Sequence, residues 1–254
     1  MAKPEKRVNI RECTTFHDLS KCVELQREVF ALPDIEISPV RHLIVTRNAG
    51  GFTLGAFIDG ELVGFVLSVP AHLHGKRAFY SHMTAVRSGH QSFGIGARLK
   101  WAQRERSLAE GVKYIKWTFE PTKAKNAYFN LEKLGAVVRE YQENFYGVDY
   151  VTAPEMADKT GLASDRLFAE WELESPKVIA RSEGKGYQEQ FEPAATIAVM
   201  DDWAELVRHD ADRASKEQMR IRAEFTDAFG KGFVARAFLR AFDNVPPMYL
   251  LYEE

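Results

Sequence analysis

Alternating apolar and polar positions predict a series of strands in the first two thirds of the chain. Val8 and Ile10 alternate with polar neighbours across residues 7–12, as in a half-buried strand. Asp59-Gly60 separates two apolar runs and is a strong signal for a two-residue hairpin turn. The predicted strands cover residues 7–12, 52–58, 62–69, 78–86, 114–119, 137–148 and 165–173.

Helical spacing occupies the segments between these strands. Thr14 or Thr15 is placed to cap a first helix whose apolar positions recur every three or four residues. Ser38 and Pro39 fit the cap and the first position of a second helix over 39–47. Two more helices are predicted over 93–110 and 126–134, ended by Gly111 and Gly135.

The composition changes after residue 173 and predicts two folded parts. Residues 174–193 carry Ser, Pro, Gly and charges, typical of a linker between a domain at 1–173 and a small C-terminal α+β unit at 194–254. The tail should hold strands at 196–200, 233–242 and 248–252 and a helix at 212–229. Its apolar face, Met219, Ala223, Phe225 and Phe229, should pack on the first domain or on a partner subunit of a homodimer.

The composition excludes several classes of protein. The 254 residues are 45% hydrophobic and 28% charged, with a net charge of -2, so they suit a packed core and give no sign of binding to nucleic acid or an anionic membrane. There is no run of about 18 apolar residues. Cys13 and Cys22 are too few for a disulfide framework or a zinc site. We therefore expect a cytoplasmic protein without a metal.

A glycine-containing loop directly after the predicted strand 78–86 carries the clearest chemical signal. The segment from Gln91 to Gly96 opens a helix, where unpaired backbone N–H groups and the helix dipole favour a phosphate. The P-loop motif is excluded because Ile95-Gly96 stand where Lys-Ser or Lys-Thr is required. The dinucleotide fingerprint is excluded because Leu99 replaces its third glycine.

The order Ala85-Val86, Gln91-x-x-Gly94-x-Gly96 and Leu99 resembles motif A of the GNAT (GCN5-related N-acetyltransferase) superfamily. The segments "SHMTAV", "GIGARLKWAQRE", "WTFEP", "NAYFNLEKLGA" and "DRLFAEWEL" are similar to a subgroup of GNAT acetyltransferases with a C-terminal extension. The resemblance covers residues 7–173 and implies an α/β fold with a mixed, mostly antiparallel central sheet flanked by helices.

The resemblance also implies an acyl-coenzyme A site, with acetyl-CoA or CoA as cosubstrate. The thioester would enter a slot between the strands at 78–86 and 114–119. Eight basic residues against three acidic ones between 98 and 125 suit a phosphorylated nucleotide, or alternatively a solvated helix face. The residues implied to contact the coenzyme are Met83, Thr84, Ala85, Val86, Gln91, Ser92, Phe93, Gly94, Ile95, Gly96, Ala97, Asn126 and Asn130.

The catalytic residues depart from the family pattern. Tyr80 stands where the family most often has its glutamate base, and Leu131 stands where many members have a tyrosine acid. Strand alternation places Tyr80, His82 and Thr84 on one face. His82 is therefore the first candidate for the base, because its ordinary pKa is near neutral. Glu120 is the second candidate, and Tyr128, Tyr141 and Tyr146 are candidates for the acid.

Asp165-Arg166 begins the last predicted strand of the first domain. Arg166 could bind a substrate carboxylate with its planar guanidinium, and an exposed ion pair is the alternative. These patterns together predict an N-acyltransferase, with acetyl as the expected acyl group, that moves this group from acyl-CoA directly to the amine of a small molecule or amino acid. No acyl-enzyme is expected, because the sequence has no nucleophile motif. The alternative is a CoA-binding sensor or scaffold protein without turnover.

Overall fold

The computed structural model describes residues 7–30, 32–150 and 161–254. Within these residues the chain forms two compact units. The first unit comprises residues 7–115, and the second comprises residues 116–150 and 161–254. The fold is the predicted mixed α/β type, with mostly antiparallel strands flanked by helices.

The sheet of the first unit has four antiparallel strands in chain order. They are β1 (Asn9–Glu12), β2 (Phe52–Ile58), β3 (Glu61–Leu73) and β4 (Lys76–Val86). Asp59 and Gly60 have φ angles of 53° and 86°, which confirms the predicted hairpin turn. His74 and Gly75, with φ angles of 50° and 74°, make a second two-residue turn. Strands β3 and β4 therefore extend beyond the predicted ranges 62–69 and 78–86.

Three α-helices accompany this sheet: α1 (Phe16–Phe30), α2 (Val40–Asn48) and α3 (Ile95–Ala109). Thr15 caps α1, since its Oγ accepts the Asp18 N–H at 3.1 Å. Pro39, rather than Ser38, is the cap residue of α2, one position later than predicted. Leu19, Cys22 and Leu25 of α1 and Leu43 of α2 are buried in one core cluster with Phe65, Leu67 and Ala85 of the sheet.

The second unit contains the remaining strands in the order β5-β7-β6-β9-β10-β8. The boundary between the units falls within β5, after Ile115. The strands are β5 (Tyr114–Phe119), β6 (Val137–Gln142), β7 (Arg166–Glu172), β8 (Ala195–Ala198), β9 (Phe233–Leu239) and β10 (Met248–Glu253). The helices are α4 (Ala124–Tyr128), which continues as a π-helical turn (Phe129–Lys133), α5 (Pro176–Ser182), α6 (Trp203–His209) and α7 (Ala211–Gly230).

Two predicted segments of this unit are corrected by the structure. The strand predicted over 137–148 ends at Gln142, because Asn144 and Gly147 adopt φ angles of 43° and 91°, which a strand cannot contain. The predicted linker 174–193 contains α5, whose first turn holds Pro176 after the cap residue Ser175. The domain division at 1–173 and 194–254 stays a prediction.

Helix α7 buries only part of the predicted apolar face. Phe225 is buried and Phe229 is half-buried as predicted, whereas Met219 is 61% exposed and Ala223 is exposed. Ile221 and Ala228 complete the buried face. Charged residues cover the rest of α7, and no helix in the described part of the chain is long and apolar enough to cross a membrane.

Asp165 fixes α7 to the sheet of the second unit. Its carboxylate is buried and accepts two hydrogen bonds from Arg222 of α7, at 2.9 and 3.0 Å. It also accepts the Tyr141 hydroxyl at 2.6 Å and the Asn144 N–H at 3.0 Å. The alternative of an exposed Asp165-Arg166 pair is therefore wrong, because both side chains are buried and Asp165 binds a different arginine.

We predict that Asp165→Asn destabilises the protein by about 3 kcal/mol, because it leaves Arg222 without its buried counter-charge. Glu254→Gln is the matched control, since Glu254 pairs with Arg139 at 2.7 Å but is 57% exposed. The control should change the unfolding free energy by less than about 0.5 kcal/mol. Urea unfolding followed by tryptophan fluorescence measures both, and equal effects of the two substitutions would contradict the structural role of Asp165.

Candidate functional site

The N-terminus of α3 offers backbone N–H groups without partners inside the helix. Gly94 precedes the helix in the left-handed conformation, with φ 67° and ψ 13°, and no side chain caps it. The helix ladder starts with the Arg98 N–H, which donates to the Gly94 carbonyl at 3.1 Å. The N–H groups of Ile95, Gly96 and Ala97 therefore point out of the helix end, where the dipole favours an anion.

Different physical reasons account for the glycines at positions 94 and 96 of this loop. Gly94 has a positive φ, which a side chain would strain. Gly96 has no such conformation, and a Cβ built on it would meet only Val86 Cγ2 at 3.9 Å, an ordinary contact. Nothing in the described structure requires a glycine at position 96. The absence of a side chain there leaves space for a ligand to approach the helix end.

The connection from β4 to α3 is a 3-10 turn over Ser88–Phe93. Gln91 holds its start, because Nε2 donates to the Val86 carbonyl at 3.2 Å. Phe93 is 67% exposed. The Ser92 side chain lies outside the described part of the structure. The loop thus shows its backbone and one aromatic ring at the end of the strand predicted to pair with the pantetheine arm.

Strand β4 contains a β-bulge at His82. Ser68 of β3 lies opposite Ser81, and Leu67 lies opposite Met83, so His82 has no partner in the register. A bulge of this kind inserts one residue and shifts the alternation of side chains. Ser81 accordingly faces α3, whereas Met83 and Ala85 pack into the core cluster with α1.

The bulge corrects the prediction that Tyr80, His82 and Thr84 share one face of the strand. Thr84 lies between Met83 and Ala85, which point to the core with α1, so it faces the opposite side of the sheet. Tyr80 lies on the side away from Ser81 and is half-buried. Of the three residues, only Tyr80 and His82 share a face of β4.

His82 has a histidine neighbour that its sequence position does not reveal. The rings of His82 and of His42 from α2 stand edge to face, with centroids 6.3 Å apart. The His82 side chain reaches solvent, yet the protein around it removes water from much of the ring. This desolvation lowers the pKa of His82, and the charge that His42 can carry lowers it further. The imidazole is therefore neutral, and able to accept a proton, at neutral pH.

A buried polar cluster lies on the other side of β4. Lys100 Nζ donates to Ser81 Oγ at 3.1 Å, and Gln103 Nε2 donates to the hydroxyls of Ser68 and Ser81 at 2.7 and 3.1 Å. Lys100 is 2% exposed, and burial lowers its pKa well below the ordinary lysine value. These contacts join α3 to the middle of the sheet by hydrogen bonds.

The basic residues predicted near the nucleotide are largely engaged within the protein. Lys100 is buried, and Arg98 donates to the Val8 carbonyl at 3.0 Å. Arg106 pairs with Glu12 and Glu110, and Lys116 pairs with Glu140 at 2.6 Å. Most of the positive charge in residues 98–125 is therefore used in contacts within the protein, and the N-terminus of α3 remains the candidate anion site.

Glu120 lies in the second unit as part of a charged and aromatic cluster. It pairs with Lys123 at 2.8 Å and with Arg166 at 3.3 Å. The Arg166 side chain is buried, and its guanidinium carbon lies 5.2 and 5.6 Å from the ring centroids of Tyr146 and Tyr150. Two cations thus hold the Glu120 carboxylate, and Glu120 and two aromatic rings hold Arg166.

The predicted residues on and after α4 have separate environments. Asn126 is exposed, whereas Asn130 is buried and accepts the Trp117 indole N–H at 3.2 Å. Leu131 is fully buried. Because the helix changes to a π-helical turn after Tyr128, spacing by four residues does not place Asn126 and Asn130 on one regular α-helical face.

The three candidate acids, Tyr128, Tyr141 and Tyr146, also lie in different environments. Tyr141 donates to Asp165, and its burial together with this carboxylate raises its pKa. Tyr146 stacks on Tyr150 with ring centroids 4.6 Å apart and lies 3.3 Å from the Thr118 hydroxyl. Tyr128 lies under the guanidinium of Arg240. Tyr141 is thereby committed to the structure of the second unit.

Comparison with known proteins finds a family model that matches part of this chain. Residues 16–136, just under half of the chain, match the model of the acetyltransferase (GNAT) family. Over these residues the chain is similar to that family. Members of this family transfer an acyl group from acetyl-CoA. The matched range contains the α3 N-terminus, the bulged strand β4 and the glycine loop between them. Among curated proteins, none matches the chain significantly.

Solved structures of acetyltransferases share the fold of about two thirds of this chain at low sequence identity. An acetyltransferase assigned to the GNAT family from Desulfovibrio desulfuricans is 15% identical, covers 66% of this chain and 99% of its own, and has a TM-score of 0.53. The ribosomal-protein-S18-alanine N-acetyltransferase from Escherichia coli is 14% identical over 73% and 99% of the two chains, with a TM-score of 0.52. A GNAT acetyltransferase from Streptococcus pneumoniae is 16% identical over 65% and 98%, with a TM-score of 0.51.

The contact between His42 and His82 predicts that His42 influences the pKa of His82. His42→Ala removes a neighbouring cation and admits water to His82, and both changes favour the protonated ring. The pKa of His82 should therefore rise toward the ordinary value of about 6.5. Titration of the imidazole resonances by NMR measures the shift. His209→Ala, a change at an exposed histidine of the second unit, is the control and should leave His82 unchanged. An unaltered His82 titration in His42→Ala would contradict the coupling.

Proposed function

We propose that the protein is an acetyl-CoA-dependent N-acetyltransferase that acetylates the amine of a small molecule or amino acid by direct transfer. The observation that carries this proposal is the open space over Gly96 at an uncapped helix N-terminus, directly after a bulged strand. An ordinary turn into a helix needs neither the missing side chain at position 96 nor the bulge. A ligand with a pyrophosphate and an extended arm accounts for both.

The backbone supplies the binding groups in this proposal. The N–H groups of Ile95, Gly96 and Ala97 hold the pyrophosphate, together with those of the loop that starts at Gln91. The backbone of residues 83–86 follows the pantetheine arm. When bound, acetyl-CoA supplies an activated acetyl group whose carbon–sulfur bond breaks as the amide bond forms.

His82 is the proposed general base. Its neutral imidazole takes the proton that the acceptor amine loses, and its opening to solvent lets that proton leave. Glu120 is the weaker candidate, because Lys123 and Arg166 already hold its carboxylate. Tyr80, on the same face of β4 as His82, is placed to position the acceptor or the base.

Direct transfer is supported by the state of the cysteines. Cys13 and Cys22 are fully buried, and their sulfur atoms are 4.0 Å apart. Contact with Cys13 and burial raise the pKa of the Cys22 thiol, which opposes formation of a thiolate. Neither thiol suits the formation of an acyl-enzyme, so we propose that the amine attacks the thioester itself.

The proposed acceptor is small, and Arg166 is the candidate to bind a carboxylate on it. The ion pair of Arg166 with Glu120 must open for this contact, because the guanidinium is buried between that carboxylate and the rings of Tyr146 and Tyr150. An acceptor that carries its own carboxylate can replace Glu120 on the guanidinium. Amino acids are therefore the first acceptors to examine.

Thiol release from acetyl-CoA in the presence of amino acids, small amines and a buffer blank tests the proposed function. Turnover with at least one amine above the blank is the expected result. Isothermal titration with acetyl-CoA runs in parallel. Binding of acetyl-CoA without thiol release for every acceptor would instead favour a CoA-binding sensor. This alternative is tested because a buried leucine, Leu131, stands where many family members have their catalytic acid. Absence of binding would overturn both functions.

Gly96→Ala separates ligand binding from folding. The new methyl group fits the protein, and alanine in a helix keeps or gains up to about 1 kcal/mol of stability relative to glycine. It also fills the space that the proposed coenzyme occupies, so affinity for acetyl-CoA should fall about tenfold or more. Gly230→Ala near the end of α7 is the matched control, with equally open space and no effect expected on binding. Equal affinities of the two variants would contradict the site.

His82→Ala should lower kcat about 100-fold, since a positioned general base contributes at least this factor. In the wild type, kcat/KM should fall at acid pH with a midpoint below the ordinary histidine pKa, because protonation of His82 removes the base and its pKa is lowered. This limb should disappear in His82→Ala. If the limb persists in His82→Ala and is lost in Glu120→Gln, the base is Glu120.

A further inference from the structure

A cavity of about 470 Å³ opens within the second unit, a volume that accommodates a small molecule. Its walls come from Tyr128 of α4 and the turn that follows, from β9 and β10, and from the segment around Tyr187. Lys177 of α5 contributes to its lining. None of the residues predicted to bind acyl-CoA lines this cavity, so the cavity and the predicted acyl-CoA site share no residues.

The charged residues that line the cavity are two acids and two bases. Glu132 receives the Arg181 guanidinium at 2.8 Å and the Phe238 N–H at 2.9 Å, which occupies both of its oxygens. Lys177 pairs with Glu189 at 3.4 Å and donates to the Arg236 carbonyl. Arg240 has no carboxylate partner among the described residues. The lining charges therefore cancel in number, and among the described lining residues the Arg240 guanidinium is the one without a counter-charge.

Arg240 is held in place without being neutralised. Its guanidinium carbon lies 4.6 Å from the ring centroid of Tyr128, a cation–π contact that orients the group and leaves its N–H donors unused. The side chain is exposed toward the cavity mouth. A planar guanidinium with free N–H groups suits the two oxygens of a carboxylate.

Three tyrosines line the same cavity. Within the described part of the chain, the hydroxyls of Tyr128, Tyr187 and Tyr252 have no hydrogen-bond partner, and all three residues line the cavity. Tyr252 is only 7% exposed, and its hydroxyl keeps contact with solvent, so the hydroxyl is open to a ligand or to water. Burial and the carboxylates of Glu189, Glu132 and Glu192 raise its pKa, which keeps it a proton donor.

The rest of the wall is apolar. Ala237, Leu239 and Leu250 line the cavity together with the tyrosine rings. An inorganic ion would leave this surface unused, whereas an organic molecule with an apolar body would cover it. The cavity thus combines one unneutralised guanidinium, several hydroxyl donors and an apolar wall.

We propose that this cavity is a second ligand site, which binds a small organic carboxylate with its carboxyl group on Arg240 and its apolar body against the tyrosines and Leu250. The proposal is independent of the acetyltransferase activity, because it uses different residues. The ligand receives hydrogen bonds from Arg240 and from tyrosine hydroxyls, including that of Tyr252.

Isothermal titration of the full chain with benzoate, inorganic phosphate and benzylamine tests the proposal. Benzoate should bind, phosphate should bind at least about tenfold more weakly because it cannot cover the apolar wall, and benzylamine should not bind. Stronger binding of benzylamine would overturn the assignment of charge. Equal binding of phosphate would overturn the organic ligand, and displacement of benzoate by acetyl-CoA would assign the cavity to the coenzyme and overturn the second site.

Two variants locate the benzoate. Arg240→Gln should weaken binding about tenfold or more through loss of a charged hydrogen-bonding group, and Tyr252→Phe should weaken it about threefold to tenfold through loss of one hydroxyl. Arg208→Gln, at an exposed arginine of α6, is the matched control and should bind as the wild type does. Both Arg240→Gln and Tyr252→Phe should retain the wild-type melting temperature in the absence of benzoate to within about 2 °C, given that neither group has a hydrogen-bond partner to lose. Unchanged affinity in both variants would overturn the site.

Discussion

The β-bulge at His82 is the constraint on which the arrangement of the first unit depends. One unpaired residue in β4 turns Ser81 toward α3 and Met83 and Ala85 toward the core with α1. Without it, strict alternation would place Ser81 and Met83 on the same face. A serine would then enter the apolar cluster, or a methionine would meet Lys100. The bulge therefore lets one strand serve a polar contact and an apolar core within three residues.

The position of the candidate anion site follows from this polar contact. Gln103 bridges Ser68 and Ser81, and Lys100 reaches Ser81, so α3 is held against β3 and β4 by hydrogen bonds in a water-poor interior. Apolar packing alone tolerates small slides of a helix along a sheet, whereas buried hydrogen bonds lose much of their energy on such a slide. The helix end at Gly94 is thereby fixed relative to the strand that carries His82.

Local signals in the sequence predicted the elements, and tertiary contacts decided what the sequence did not reveal. Asp59-Gly60, Gly111 and Gly135 mark turns because their φ angles are positive, a property of the residue type itself. The bulge has no such signature, since it depends on which residues of β3 lie opposite β4. For the same reason the neighbour of His82, on a helix about 40 positions earlier, and the contact of Arg222 with Asp165 could not be predicted from spacing.

The departure from the family pattern at Leu131, in the π-helical turn after α4, affects where a proton can be handled. Leu131 is buried, and Asn130 is engaged by Trp117, so these positions contribute packing rather than acid–base groups. A tyrosine at 131 would have to displace core atoms of the second unit. On β4, by contrast, His82 is open to solvent, and desolvation together with His42 lowers its pKa. The proposed acetyltransferase has Tyr80 in place of a glutamate and Leu131 in place of a tyrosine, so it depends on one imidazole to take the proton. That imidazole stands at the unpaired position of the bulge.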